Sequence, residues 1–214
     1  MLKTQGYDEA PSGFQQKAEI VPGGHHLIIK QVNETQSKNG KPMIVVLYDF
    51  AQNDAQAGAF MNEFKNDERA DKKWPNRGTS YIMTQDWNDA SKTSRNFKSF
   101  CTCFEKSNDC MIKWIEDPIA WAAQFKNRKI GGVFGVVHDV YNGKEFTKTE
   151  LRWFCEDSKA DSAQVPQERM LSDTQKAKLD PQPNAAGSNI IPERAPDEGF
   201  VNVPEGIDEE LPFR

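Results

Sequence analysis

Lys72-Lys73-Trp74-Pro75-Asn76-Arg77 is the densest interleaving of cations with an aromatic ring in this chain. Such a mixture suits a flexible polyanion that carries flat rings. Ammonium and guanidinium groups follow phosphates, and an aromatic side chain offers any base a π-face, worth about 1–3 kcal/mol per stacked base. Further platforms of this kind are Tyr48, Phe50, Tyr81, Trp87 and Trp153. Further cations are Lys38, Lys41, Lys126, Arg128, Lys129, Lys144, Lys148 and Arg152. Each competes with a plainer role, since an aromatic residue can be core and a lysine can belong to a solvated face. Trp74, set between charges and a proline, is expected to be exposed. Phe50 and Trp153 stay open between core and platform. Lys144, Lys148 and Arg152 recur at even spacing and so share one face of a strand. Phe146 and Glu150 share it too, and a solvated face fits equally well.

A second kind of chemistry sits at Asp208-Glu209-Glu210-Leu211-Pro212-Phe213. Three carboxylates followed by apolar anchors suit a partner's basic-rimmed pocket. The alternative is an acidic tail that only keeps the chain self-repelling. Catalytic patterns are missing: there is no Gly-rich phosphate loop, no nucleophile motif and no Ser-His-Asp order. Cys101, Cys103 and Cys110 lack the paired spacing of a structural zinc site, and no second pair follows. Asp139, Glu150 and Arg152 resemble a metal-dependent nuclease set only faintly, because an arginine does not readily give up a proton. The expectation is a non-catalytic protein without metal or cofactor.

The 214 residues are 37% hydrophobic and 28% charged. That apolar share is below the roughly 45–50% of an ordinary globular domain, so part of the chain is expected not to fold. Residues 158–214 hold 6 Lys/Arg and 11 Asp/Glu, against 27 and 32 in the whole chain. The difference leaves 21 of each sign in residues 1–157, so the net charge of −5 belongs to the last stretch. Seven of the 12 prolines lie there too. The division predicted is a folded domain over 1–157 and a disordered, acidic, Pro-rich tail over 158–214. A neutral domain is not the basic one expected of a nucleic-acid binder, although a local basic groove can coexist with acid elsewhere. No stretch approaches the ~18 apolar residues of a membrane span, and residues 1–6 lack the apolar run of a secretion signal. An intracellular location away from membranes is expected, with the four cysteines reduced.

The elements that would position these residues read as follows. Residues 25–32 are an apolar extended run, and residues 43–50 alternate. Between them stands Ser37-Lys38-Asn39-Gly40-Lys41, in which Asn-Gly is a strong hairpin signal. Phe60, Met61 and Phe64 suggest a short helix or flap, and residues 79–84 a third strand. Phe97, Phe100, Cys101 and Phe104 fall on one face of a helix over about 91–106. Asp117-Pro118 starts another helix, predicted to bury Ile119, Trp121 and Ala122. Residues 129–141 and 144–154 flank a second Asn-Gly turn. Three strands, a helix and two strands is the element order of the OB-fold, a small five-stranded barrel. An α+β sandwich built from the same elements is the alternative.

Several stretches, taken in order, carry a family resemblance. They are Val21-Pro22-Gly23-Gly24, Ser37-Lys38-Asn39-Gly40-Lys41-Pro42-Met43 and Asn96-Phe97-Lys98-Ser99-Phe100. Phe125-Lys126-Asn127-Arg128-Lys129-Ile130-Gly131-Gly132-Val133 and Tyr141-Asn142-Gly143-Lys144-Glu145 complete the set. Over residues 6–156 the chain resembles single-stranded DNA-binding proteins encoded by phages and mobile elements of Gram-positive bacteria. Residues 208–213 resemble the acidic tip of bacterial single-stranded DNA-binding proteins. The resemblance implies an OB-fold that coats single strands in the cytoplasm of a bacterial host cell, and a tail that recruits replication and recombination proteins. It leaves homo-oligomerisation open. A strand-annealing or mediator factor and a protein-binding β-barrel module remain as alternatives. One departure is Arg214, which follows Phe213 where the bacterial tip carries its terminal carboxylate.

Overall fold

Apolar alternation, interrupted by glycine and asparagine turns, builds most of the architecture. The computed structural model describes residues 19–179. Its elements are β1 (Gly23–Gln36), β2 (Pro42–Phe50), α1 (Ala59–Asn66), β3 (Thr79–Met83), α2 (Arg95–Asn108), α3 (Pro118–Ala123), β4 (Lys129–Tyr141), β5 (Lys144–Cys155) and α4 (Asp173–Lys176). The strands form one antiparallel sheet in the order β3-β2-β1-β4-β5. The fold is therefore mainly β, with a helix between the third and fourth strands as the sequence predicts.

β1 is long enough to serve two neighbours. Its first half, from Gly23 to Ile28, pairs with β4, and the stretch from Leu27 to Gln36 pairs with β2. The register slips between Ile29 and Gln31, a bulge at Lys30 that bends the strand. The sheet curls as a result. Tyr48 on β2 meets Phe154 on β5 at 5.9 Å between ring centroids, although two strands separate β2 from β5 and neighbouring strands lie about 4.8 Å apart. Among the described residues β3 and β5 form no ladder with each other, so the sheet stays open.

Inside the curl, Leu27, Ile29, Tyr48, Phe50, Phe60, Phe100, Phe104, Phe125, Ile130 and Phe134 are fully buried. α2 lays Phe97, Phe100, Cys101 and Phe104 against this core, as the periodicity predicts. Asp117 starts α3, accepting the Ile119 N–H at 3.0 Å, with Pro118 as the first helical residue. The six-residue helix buries Trp121 but turns Ile119 outward, contrary to the expectation that both are covered. One short turn has a single inner face, and Trp121 takes it. At the second hairpin Asn142 and Gly143 both adopt positive φ, 47° and 73°, the geometry of a tight two-residue turn. The first hairpin is looser, closing across Ser37 to Lys41 with Gly40 at φ 71°.

The packed chain runs past the boundary expected near residue 157. Residues 156–172 form a strap across β1 and β4. Arg169 bridges to Val137, exchanging backbone bonds with Val136 and His138. Ala160 and Leu171 are its buried side chains. Gly24 lets it pass: a Cβ there would collide with the Ala160 carbonyl. The residues from 180 onward, including the tip at 208–213, lie outside the described residues. Among those described, no helix is long and apolar enough to cross a membrane.

Candidate nucleic-acid interface

The residues proposed for stacking separate into two groups. Tyr48 and Phe50 belong to the core and cannot be platforms. They share the inward face of β2 with Ile44 and Val46, and their rings lie against Phe134 and Phe60. The Tyr48 hydroxyl donates to the Arg77 carbonyl at 2.8 Å, and burial pushes its pKa up. Trp74 is also core, at 3% exposure. Its ring lies 5.8 Å from Phe64, and its indole N–H donates to the Gly78 carbonyl at 3.0 Å. Lys72 is exposed and Arg77 lies half-buried 5.9 Å from the Phe60 ring, while the Trp74 ring fills the space beside α1. Arg77 pairs with Glu63 at 2.8 Å, and Lys72 sits over the Phe64 ring at 5.2 Å. Lys73 is half-buried in the same segment.

Tyr81, Trp87 and Trp153 are exposed. Two of them meet the first hairpin. Trp87, 65% exposed, stands in the loop between β3 and α2. That loop is braced by the Gln85–Thr93 bridge and by Thr84 bonding back to the Pro42 carbonyl. Lys41 lays its ammonium 3.7 Å from the Trp87 ring centroid and donates to the Trp87 carbonyl at 3.0 Å, a cation–π contact. Lys38 is exposed in the same hairpin loop. Tyr81 points away from the core, opposite Val45 on β2, which in turn stands opposite Asn33 on β1. Partial burial raises its phenol pKa.

This outward face of β1, β2 and β3 has a second open end. Val45 and Leu47 in its middle are covered, but at Ile28 and Asp49 it opens into a pocket of about 280 Å³ lined also by Lys30, Met61, Asn62 and Lys65. Asp49 is spoken for: its carboxylate accepts the backbone N–H groups of Phe50, Phe60 and Met61 and so starts α1. Burial raises its pKa against those bonds. Lys30 and Lys65 escaped the sequence reading. The one signal was Lys30 interrupting the apolar run of 25–32.

The remaining cations do other work or stand apart. Lys148 pairs with Asp139 at 2.9 Å and Glu150 at 3.5 Å, and Lys129 with Asp157 at 3.3 Å. Arg152 is the extra residue of a bulge opposite Val133 and Phe134, and its guanidinium donates to the Gln167 carbonyl of the strap at 3.3 Å. That bulge breaks the even spacing that put Arg152 on one face with Lys144 and Lys148. Lys126, Arg128 and Lys144 are exposed. Trp153 is exposed on β5, far along the sheet from β3.

Cys103 donates its thiol to the Phe154 carbonyl at 3.6 Å, and burial raises the pKa of Cys101, Cys103 and Cys155. Among the described residues no group of three or more His, Cys, Asp or Glu is set to hold a metal ion. The chain matches no protein-family model and no curated protein.

Proposed function

We propose that this chain is a non-catalytic protein that binds single-stranded DNA with little regard to sequence. The observation that carries the reading is the group at the hairpin end of β2 and β3: Trp87 with Lys41 on one face, Lys38 in the same loop, and exposed Tyr81 on β3. Lys41 occupies one side of the indole and leaves the other for a base, while its charge stands where a phosphate would follow. The strand order supports treating the curled sheet as a partly open OB-type barrel, in which the side formed by strands 2 and 3 takes the nucleic acid. Lys30 and Lys65 offer a second pair of cations on that side. The acidic tip, residues 208–213, would recruit replication or recombination proteins of a phage or mobile element, as the family resemblance suggests.

The test is fluorescence anisotropy of a labelled oligothymidine of about 30 nucleotides with the full chain, at two salt concentrations and with a duplex as control. Binding that weakens with salt and is far poorer on the duplex is the expected result. No binding at low salt, or equal binding to the duplex, would overturn the reading.

A further inference from the structure

From the end of α2 into the first turn of α3 the chain presents apolar side chains to water. Met111 is 84% exposed, Trp114 69%, Ile115 43% and Ile119 68%, all within nine residues. Side chains of this size and exposure offer on the order of 500 Å² of apolar surface, as much as the largest patch of a typical monomer. That is more than half of the roughly 800 Å² each partner gives to a standard interface.

The patch is built rather than left loose. Gln124 holds the segment by both ends of its amide, accepting the Lys113 N–H and donating to the Lys113 carbonyl, each at 2.8 Å. Ile112 is buried, and its N–H donates to Glu105 at 3.0 Å. Trp114 lies nearly parallel to buried Trp121, 6.2 Å away, and edge-on to Phe97 at 6.2 Å. The backbone of the segment and the Trp114 ring are therefore held in place before any partner arrives, which lowers the ordering cost of association.

We infer that this surface is the contact between two copies of the chain, related by a twofold axis. Its charges choose that occupant. Lys113 and Glu116 stand on the rim, exposed and three residues apart, and among the described residues neither makes an ion pair. A twofold axis passing between them would set each against the other's opposite charge, since such an interface is self-complementary. A nucleic-acid strand would find one lysine beside the carboxylates of Glu116 and Asp117. An acidic segment such as 208–210 would meet the same two carboxylates.

Sedimentation equilibrium of the full chain over a range of concentrations decides it, with Ile119→Glu and Met111→Glu as separate variants. Both side chains are mostly in water, so the thermal melting of each variant should match the parent. The expected result is the mass of two chains for the parent, with dissociation at least roughly a hundredfold easier in each variant, because a charge is then buried in an apolar contact. A parent that stays at the mass of one chain, or a dimer that neither variant weakens, overturns it. So does a variant that keeps the dimer and instead weakens oligothymidine binding.

Discussion

The segment 72–77 and the loop 84–93 contrast what a sequence shows with what a fold makes. The first places Lys72, Lys73 and Arg77 around Trp74, yet the ring is buried against Phe64 and bonded to Gly78. The second holds Trp87 among aspartates and asparagines, and its cation arrives from residue 41 on another hairpin. Proximity along the chain did not make a platform, because the ring turned inward and Arg77 was drawn to Glu63 and the Phe60 ring. The exposed pair came from β3 lying beside β2, a tertiary event.

The sharpest way to break this contrast is to remove each ring in turn. Trp74→Ala empties a packed site and should cost about 3–5 kcal/mol of stability, read as a large fall in the midpoint of chemical denaturation. Oligothymidine affinity, measured below that midpoint, should barely move. If Trp74→Ala melts like the parent but loses binding, Trp74 is a platform after all.

Trp87→Ala should do the reverse with a smaller effect. Losing one stacking surface costs about 1–3 kcal/mol of binding, or roughly five- to 150-fold in affinity, with melting unchanged. Affinity equal to the parent's would move the interface elsewhere on the molecule, with exposed Trp153 on β5 the next ring to remove.

What the sequence disclosed follows the same division between local and tertiary. The limits of β2, β4 and β5 were legible because 43–50 alternates and Asn142-Gly143 signals a turn, but β1 runs on to Gln36, four residues past its expected end. α2 was legible from four residues on one face, and α3 from Asp117 capping beside Pro118. The curl with Tyr48 and Phe50 inside was not, although both share parity with Ile44 and Val46. Their ring partners come from β4, β5 and α1, which no local pattern reveals. Ile119 was misjudged because a helix of six residues has room for one buried anchor. The strap was missed because residues 158–172 have no apolar period. It is held by a backbone bridge at Arg169 and by ion pairs, and neither leaves a mark in composition.

The strap also extends the contrast from rings to charges, because histidines that look unremarkable in sequence become its fasteners. His26 lies between Asp157 at 2.7 Å and Asp161 at 3.1 Å, with Lys129 on the far side of Asp157. His138 lies between Glu145 and Glu168. The Asp157 hydrogen bond is the main cause that raises the pKa of His26 above its ordinary value, against the opposing effect of burial. For His138 the bond to Glu168 leads, followed by that to Glu145. A raised value means that the folded chain holds these protons more tightly than the unfolded one. The fastening is complete below the ordinary histidine value near 6.5 and fades as pH climbs through the raised values. The effect should be the smallest of the three, since both sites border water. The Arg169 amide, bonded to the Val136 carbonyl, is the reporter. Its hydrogen exchange, corrected for the intrinsic pH dependence, should lose protection as pH rises from below the ordinary histidine value near 6.5 through the raised values, and His138→Asn should remove most of that change. Equal protection at both ends of the range would mean that the Arg169 bridge, the Arg169–Glu150 pair and buried Leu171 hold the strap without the histidines.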